Sequence, residues 1–222
     1  MRKQKVGRED SATRSALLDA AEQMMREEGY AAVTSRRVAA KALVRAQLVH
    51  YYFPTMDDLF LALFRRRAQT GLPLMAKALE DGRVFQVLWQ QNTDRANATM
   101  NLEFMALANH RKSLRTEFAK FGEELRRLQH QALLRHFKTS GVNPEIDPRV
   151  MTFLFASAGI LLALESEAGI SFGHAKVRAA VKSMLKRVST TGSVPEAAAD
   201  NALRTKGRSK RRGKSGSATA VD

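Results

Sequence analysis

The chain has 222 residues, 44% apolar and 27% charged, enough to bury a real core as a soluble globular protein. It contains no cysteine, which excludes disulfides and thiolate chemistry. The net charge of +15 calls for a polyanionic partner, nucleic acid before membrane, because no strongly amphipathic terminal helix accompanies the basic tail. The charged N-terminus lacks the apolar run of a signal peptide. The longest nearly uncharged apolar stretch, residues 151–164, is short for a bilayer and reads as a buried helix.

Arg2, Lys3, Lys5 and Arg8 form a basic arm over residues 1–10. Asp10 or Ser11 then caps a first helix that runs to Glu28, with Leu17, Ala21 and Met24 on one stripe, and Gly29 ends it. Thr34 caps a short second helix to Ala42. Leu43 and Val44 make a turn, and a third helix runs from Arg45 to Tyr52 until Phe53-Pro54 stops it. Thr55 caps the next helix, with Asp57 and Asp58 in its first turn, and Gly71-Leu72-Pro73 is expected to end it. Further helices are predicted over 73–80, 83–94, 96–110, 113–138, 148–167 and 174–189. Phe118, Phe121, Leu125, Leu128 and Ala132 mark the seam of the longest. The predicted fold is all-α, with a helix-turn-helix unit over 11–55, a larger helical regulatory and dimerisation unit over 56–189, and a disordered basic tail over 190–222.

Residues 34–53 carry the functional signal. Two helices of about eight residues joined by a tight turn are the smallest unit that presents one helix to a major groove. Val38, Ala39, Ala42, Val44, Val49 and Phe53 supply the contacts between them. Arg45, Gln47, His50 and Tyr51 are left facing outward, all able to bond base edges or phosphates.

With Thr34, Val38-Ala39, Ala42, Val44, the block from Val49 to Phe53, and Asp57-Asp58-Leu59, this segment resembles the DNA-binding domain of the TetR family of bacterial transcriptional repressors. The resemblance is specific over residues 12–64; beyond residue 70 it is only an all-helical pattern. It implies that Thr34 caps the second helix and touches a phosphate, and that Arg45, Gln47, His50 and Tyr51 face the groove. It also implies that Tyr52 reaches the backbone. Arg36 and Thr55 complete the expected DNA-facing set. Two positions depart from the family: Leu43 stands where a glycine is usual, and Met56 where a phosphate-binding lysine is frequent. Arg36, Arg37 or the N-terminal arm are the expected substitutes for that lysine. The implied setting is a bacterial cytoplasm, at the nucleoid.

A small reading head needs two-fold repetition, so a homodimer is expected. Phe155, Gly159 and Leu162 on one predicted helix, with Val177, Val181 and Met184 on the next, are the candidate interface. Phe85, Trp89, Met100, Phe104, Leu107 and Phe121 are the candidates for an apolar cavity, with Asn101, Glu103 and His110 as polar handles. The implied ligand is an apolar or amphipathic inducer. The tail run from Arg204 to Lys214, seven basic residues and no acid, suits auxiliary contact with DNA. The sequence has no dinucleotide or phosphate-loop glycine pattern, no HExxH and no cysteine nucleophile. His130 and His136 are six apart, off a shared helix face. No enzyme, metal or cofactor is expected. The competing classes are a nucleoid-type architectural protein acting through charge and a helical protein-interaction scaffold.

Overall fold

The computed structural model describes residues 2–191, apart from Asp81 and Glu145. The basic run 204–214 lies outside the described residues. Those residues form α1 (Arg2–Glu28), a 3-10 turn (Tyr30–Ala32), α2 (Ser35–Lys41), α3 (Ala46–Tyr52), α4 (Met56–Ala78), α5 (Val84–Thr93), α6 (Arg95–His110), α7 (Lys112–Ser140), α8 (Pro148–Glu167) and α9 (His174–Thr191).

Two boundaries differ from the sequence expectation. First, α1 begins at Arg2, so residues 2–10 continue the helix instead of preceding it as an arm. Their Arg, Lys, Gln and Glu content favours helix, with Gly7 the exception. Second, α4 runs unbroken through Pro73. A proline deprives the carbonyl four residues earlier of its partner. Here that carbonyl belongs to Gln69, and both Gln69 and Pro73 are exposed, so water can serve it. Buried Met75 and Leu79 anchor the far end of α4. The other predicted ends fall close to those observed. Gly141 caps α7 in the left-handed region at φ 69°, and Asp147 accepts from the Arg149 amide at the start of α8.

The apolar side chains gather into two cores. The first joins α1, α2, α3 and the N-terminal half of α4 to Met100, Phe104 and Leu107 of α6 and Leu114 of α7. The reading head is therefore continuous with the body, and Phe64 of α4 sits at the junction. Its ring meets Phe104 edge-on at 5.1 Å and Phe121 at 5.6 Å. The second core packs the end of α4 and α5 against α7, α8 and Leu185 of α9, around Phe85, Phe137 and Phe155.

Helix α8 lies against α5 at very close range. A Cβ on Gly159 would stand 2.6 Å from Asn92 Cβ and 2.9 Å from the Asn92 carbonyl carbon and oxygen. Phe155 and Leu162 are buried on the same face, 6% and 4% exposed. The expected interface at Phe155, Gly159 and Leu162 is thus corrected: that face is used up inside one chain. The apolar residues left exposed on α8 are Val150, Phe153, Leu154 and Leu161, on the opposite stripe. Val181 and Met184 of α9 are partly buried against the second core, while Val177 is exposed. The sequence pattern hides this distinction because α8 is apolar all round.

Replacing Gly159 by alanine should cost about 1–3 kcal/mol, because backbone cannot yield as a flexible side chain would. Gly122→Ala, in the interior of α7 with nothing within 4 Å of the added carbon, should instead gain up to about 1 kcal/mol. Urea denaturation of the two variants checks the opposite signs.

Candidate nucleic-acid interface

Local chemistry builds the two short helices. Thr34 Oγ1 accepts from the Arg37 amide at 3.4 Å, which fixes the start of α2. Val38, Ala39, Val49 and Phe53 are buried at 0–2% exposure and hold α2 and α3 together on the first core. Between them the Leu43 amide bonds the Ala40 carbonyl and the Val44 amide bonds the Ala39 carbonyl. Thr55 and Asp58 form a reciprocal capping box that starts α4 immediately after Pro54.

Leu43 sits at φ 57°, the one described non-glycine residue with positive φ. The conformation costs a leucine about 1–2 kcal/mol. The side chain is 93% exposed, so burial returns nothing. Met56 has a different explanation: it is half-buried and packed against the first core. A lysine there would give up that packing to reach outward.

The expected reading residues are left at the surface. Arg45, Gln47, His50 and Tyr51 are exposed on or beside α3, and Arg36 and Thr34 are exposed at the start of α2. Tyr51 is 70% exposed and meets Tyr52 edge-on at 4.9 Å. Tyr52 is half-buried and packs against the first core. Thr55 is exposed but its hydroxyl is engaged with Asp58 at 2.8 Å. Arg37, expected as a substitute phosphate ligand, is committed elsewhere. Its guanidinium donates to both Glu28 oxygens at 2.8 and 2.7 Å and to the Ala32 carbonyl.

The links that hold this head to the body are long-range and lie outside the helix-turn-helix pattern. The Tyr30 amide donates to Glu103 on α6 at 2.6 Å. Glu103, expected as a cavity handle, therefore serves the head instead. On the other flank, Glu22 of α1 accepts from Arg66 at 2.8 Å and from Arg67 at 2.5 Å, and Arg26 lies 3.2 Å away. Arg66 also donates to Asp19 at 2.6 Å. Burial alone would raise the pKa of Glu22, but the combined charge and hydrogen bonds of Arg67 and Arg66 leave it below the usual carboxylate value. Arg14 lies over the Phe53 ring at 5.2 Å, tying α1 to the end of α3. The arginine run at 65–67 was the available signal.

The candidate cavity residues do not line one space. Met100, Phe104 and Leu107 belong to the first core, with Phe121 packed against it; Phe85 belongs to the second, with Trp89 packed against it. Trp89 faces an apolar hollow of about 250 Å³ shared with Leu154, Phe155 and Met184. Phe104 and Phe121 line a separate space of about 90 Å³ among α4, α5, α6 and α7, where Asn101 also contributes. His110 is exposed at the end of α6.

The sequence model for bacterial regulatory proteins of the tetR family matches residues 17–63, the span that contains the head and the start of α4. Residues 17–63 therefore carry a DNA-binding domain of the tetR family type. No curated protein sequence matches the chain. Several solved structures share its fold. One, described as a transcriptional regulator from Saccharomonospora viridis in complex with choline, is 18% identical with a TM-score of 0.64, over 82% of this chain and 97% of that one. The reduced form of NemR from E. coli is 16% identical with a TM-score of 0.62, over 80% and 96%. FadR from Bacillus subtilis in complex with stearoyl-CoA is 15% identical with a TM-score of 0.57, over 77% and 96%. The tetR-type N-terminal helix-turn-helix joined to a larger helical body makes the chain a DNA-binding transcriptional regulator.

Leu43→Gly should raise stability by up to about 1 kcal/mol, and Leu43→Ala should not, since alanine keeps the offending Cβ. Thermal melts of both variants test this. The lowered pKa of Glu22 means that its contribution is complete above the unfolded carboxylate value and drains away as pH falls through the folded one. Melting temperature should therefore drop more steeply on acidification below about pH 4.5 in the native protein than in Glu22→Gln.

Proposed function

We propose that this regulator is a ligand-responsive repressor that binds a palindromic operator as a homodimer. The observation that carries the reading is the exposed surface of α3, where Gln47, His50 and Tyr51 stand clear of the core while Val49 anchors the helix from behind. Gln47 suits an adenine edge, Arg45 a guanine or a phosphate, and Tyr51 a phosphate or a thymine methyl. Arg36, Thr34, Tyr52 and Thr55 flank these groups and would fix the register on the backbone.

A seven-residue helix spans few base pairs, which favours two heads on two half-sites about 34–36 Å apart. The exposed stripe Val150, Phe153, Leu154 and Leu161 on α8, with Val177 on α9, supports the second copy as its cover. An apolar stripe of that length on a soluble surface marks an interaction site. An effector held among α4, α5, α6 and α7 would alter operator affinity only if it binds one spacing of the heads better than the other.

Selection of fragments from genomic DNA by the full chain, followed by footprinting, should yield a palindrome with two equal half-sites. Gln47→Ala and Tyr51→Ala together should weaken that site by about 2–5 kcal/mol while leaving weak nonspecific binding. Unchanged footprints would overturn the assignment of α3. Truncation after Gly207 should lower the salt slope by about 0.9 for each phosphate lost yet keep selectivity; loss of all binding would favour the charge-only architectural class. Phe153→Asp with Leu161→Asp should convert the protein to monomers in sedimentation and abolish binding to the full palindrome.

A further inference from the structure

The space among α4, α5, α6 and α7 has an unusual lining. Its polar side chains are Arg67, Gln91, Asn92, Asn97, Asn101 and Gln129, and no carboxylate faces it. Phe64, Phe104, Phe121 and Leu125 supply the apolar walls. Gln129 is 2% exposed, and its Oε1 has no hydrogen-bond partner. Buried amide oxygens are almost always paired, so this acceptor is a place where a donor belongs.

Arg67 is the one cation on the wall. Its Nη1 donates to Glu22 and its Nη2 to Asn97 Oδ1 at 3.4 Å. Glu22 is already shared with Arg66 and Arg26, and Arg66 divides itself between Glu22 and Asp19. Three guanidiniums thus face two carboxylates, leaving one positive charge in excess beside a cavity without an acid.

We propose that this cavity binds a short-chain organic acid bearing a hydroxyl or N–H donor. The carboxylate sits on Arg67, the donor on Gln129 Oε1, and the hydrocarbon between the phenylalanines. The assignment rests on the ligand-responsive reading above and gives it a chemistry. A quaternary ammonium is disfavoured, because Arg67 repels it and no carboxylate compensates. Size limits the chain: a space of about 90 Å³ suits a short acid and not a long acyl chain. A bound carboxylate competes with Glu22 for Arg67, so the acid loosens the bond that fastens α1, and with it the head, to α4.

The test is calorimetric titration of the full chain with the 2-, 3- and 4-hydroxybutyrates, butyrate, 1-butanol and choline chloride. At least one hydroxybutyrate should bind about tenfold more tightly than butyrate, and 1-butanol and choline should bind weakest. Gln129→Leu should erase the advantage of the hydroxyl and leave butyrate binding intact. Arg67→Met should remove the preference for acids over 1-butanol, and Arg67→Lys should keep it; circular dichroism melts show that each variant folds. Choline or 1-butanol binding as tightly as the acids overturns the proposal, as does no binding by any probe, which would leave the space to water. Operator binding measured by anisotropy without any acid separates the two readings. DNA binding with no acid binding sinks this inference alone. Acid binding with no DNA binding supports this ligand class and sinks the regulator reading.

Discussion

Glu22 lies on α1, yet its carboxylate is held by two consecutive arginines of α4. That shared acceptor governs how the reading head is seated. Burial alone would favour its neutral form, but the charges and hydrogen bonds of Arg67 and Arg66 favour the carboxylate. On the opposite flank the head is fastened by one hydrogen bond, from the Tyr30 amide to Glu103 of α6. Between the two polar fasteners runs the first apolar core, which crosses from α1 through Phe64 to Phe104. The core joins the head to the body, and the two carboxylates add directional bonds on either side of it. Either acid is open to competition from charge in its surroundings in a way that buried phenylalanines are not.

Much of the head is legible in the sequence because its rules are local. Thr34 and Thr55 act as caps on their own neighbours, and Pro54 ends α3 through its own ring. The small side chains at 39 and 42 announce a close helix pair within a few residues of one another. The departure at Leu43 is legible through the resemblance, which puts a glycine there, and the observed φ of 57° gives that departure its penalty.

The body was less legible because its rules are long-range. Pro73 reads as a stop, and only the exposure of Gln69 and the anchoring of Met75 explain why α4 passes through it. Helix α8 carries apolar residues on every side, so its period could not say which stripe faces inward. Phe155 and Leu162 were the better-looking pair for an interface, and they are core. The aromatic residues of α5, α6 and α7 resemble one cavity lining in the sequence but divide between two cores. Gln129, on the inward side of α7 among apolar neighbours, gave no sign in the sequence that it would be buried without a partner.

The missing side chain at Gly159 has a mechanical meaning. It lets the backbone of α5 rest directly on α8, with no flexible atoms between them. Packed backbone transmits displacement rather than absorbing it. Asn92, the residue pressed into that notch, also forms part of the wall of the small polar cavity. The cavity wall and the outward apolar stripe of α8 are therefore two faces of one stiff plate. A displacement of the cavity wall at Asn92 would therefore pass through the Gly159 notch to the outer stripe of α8 with little loss.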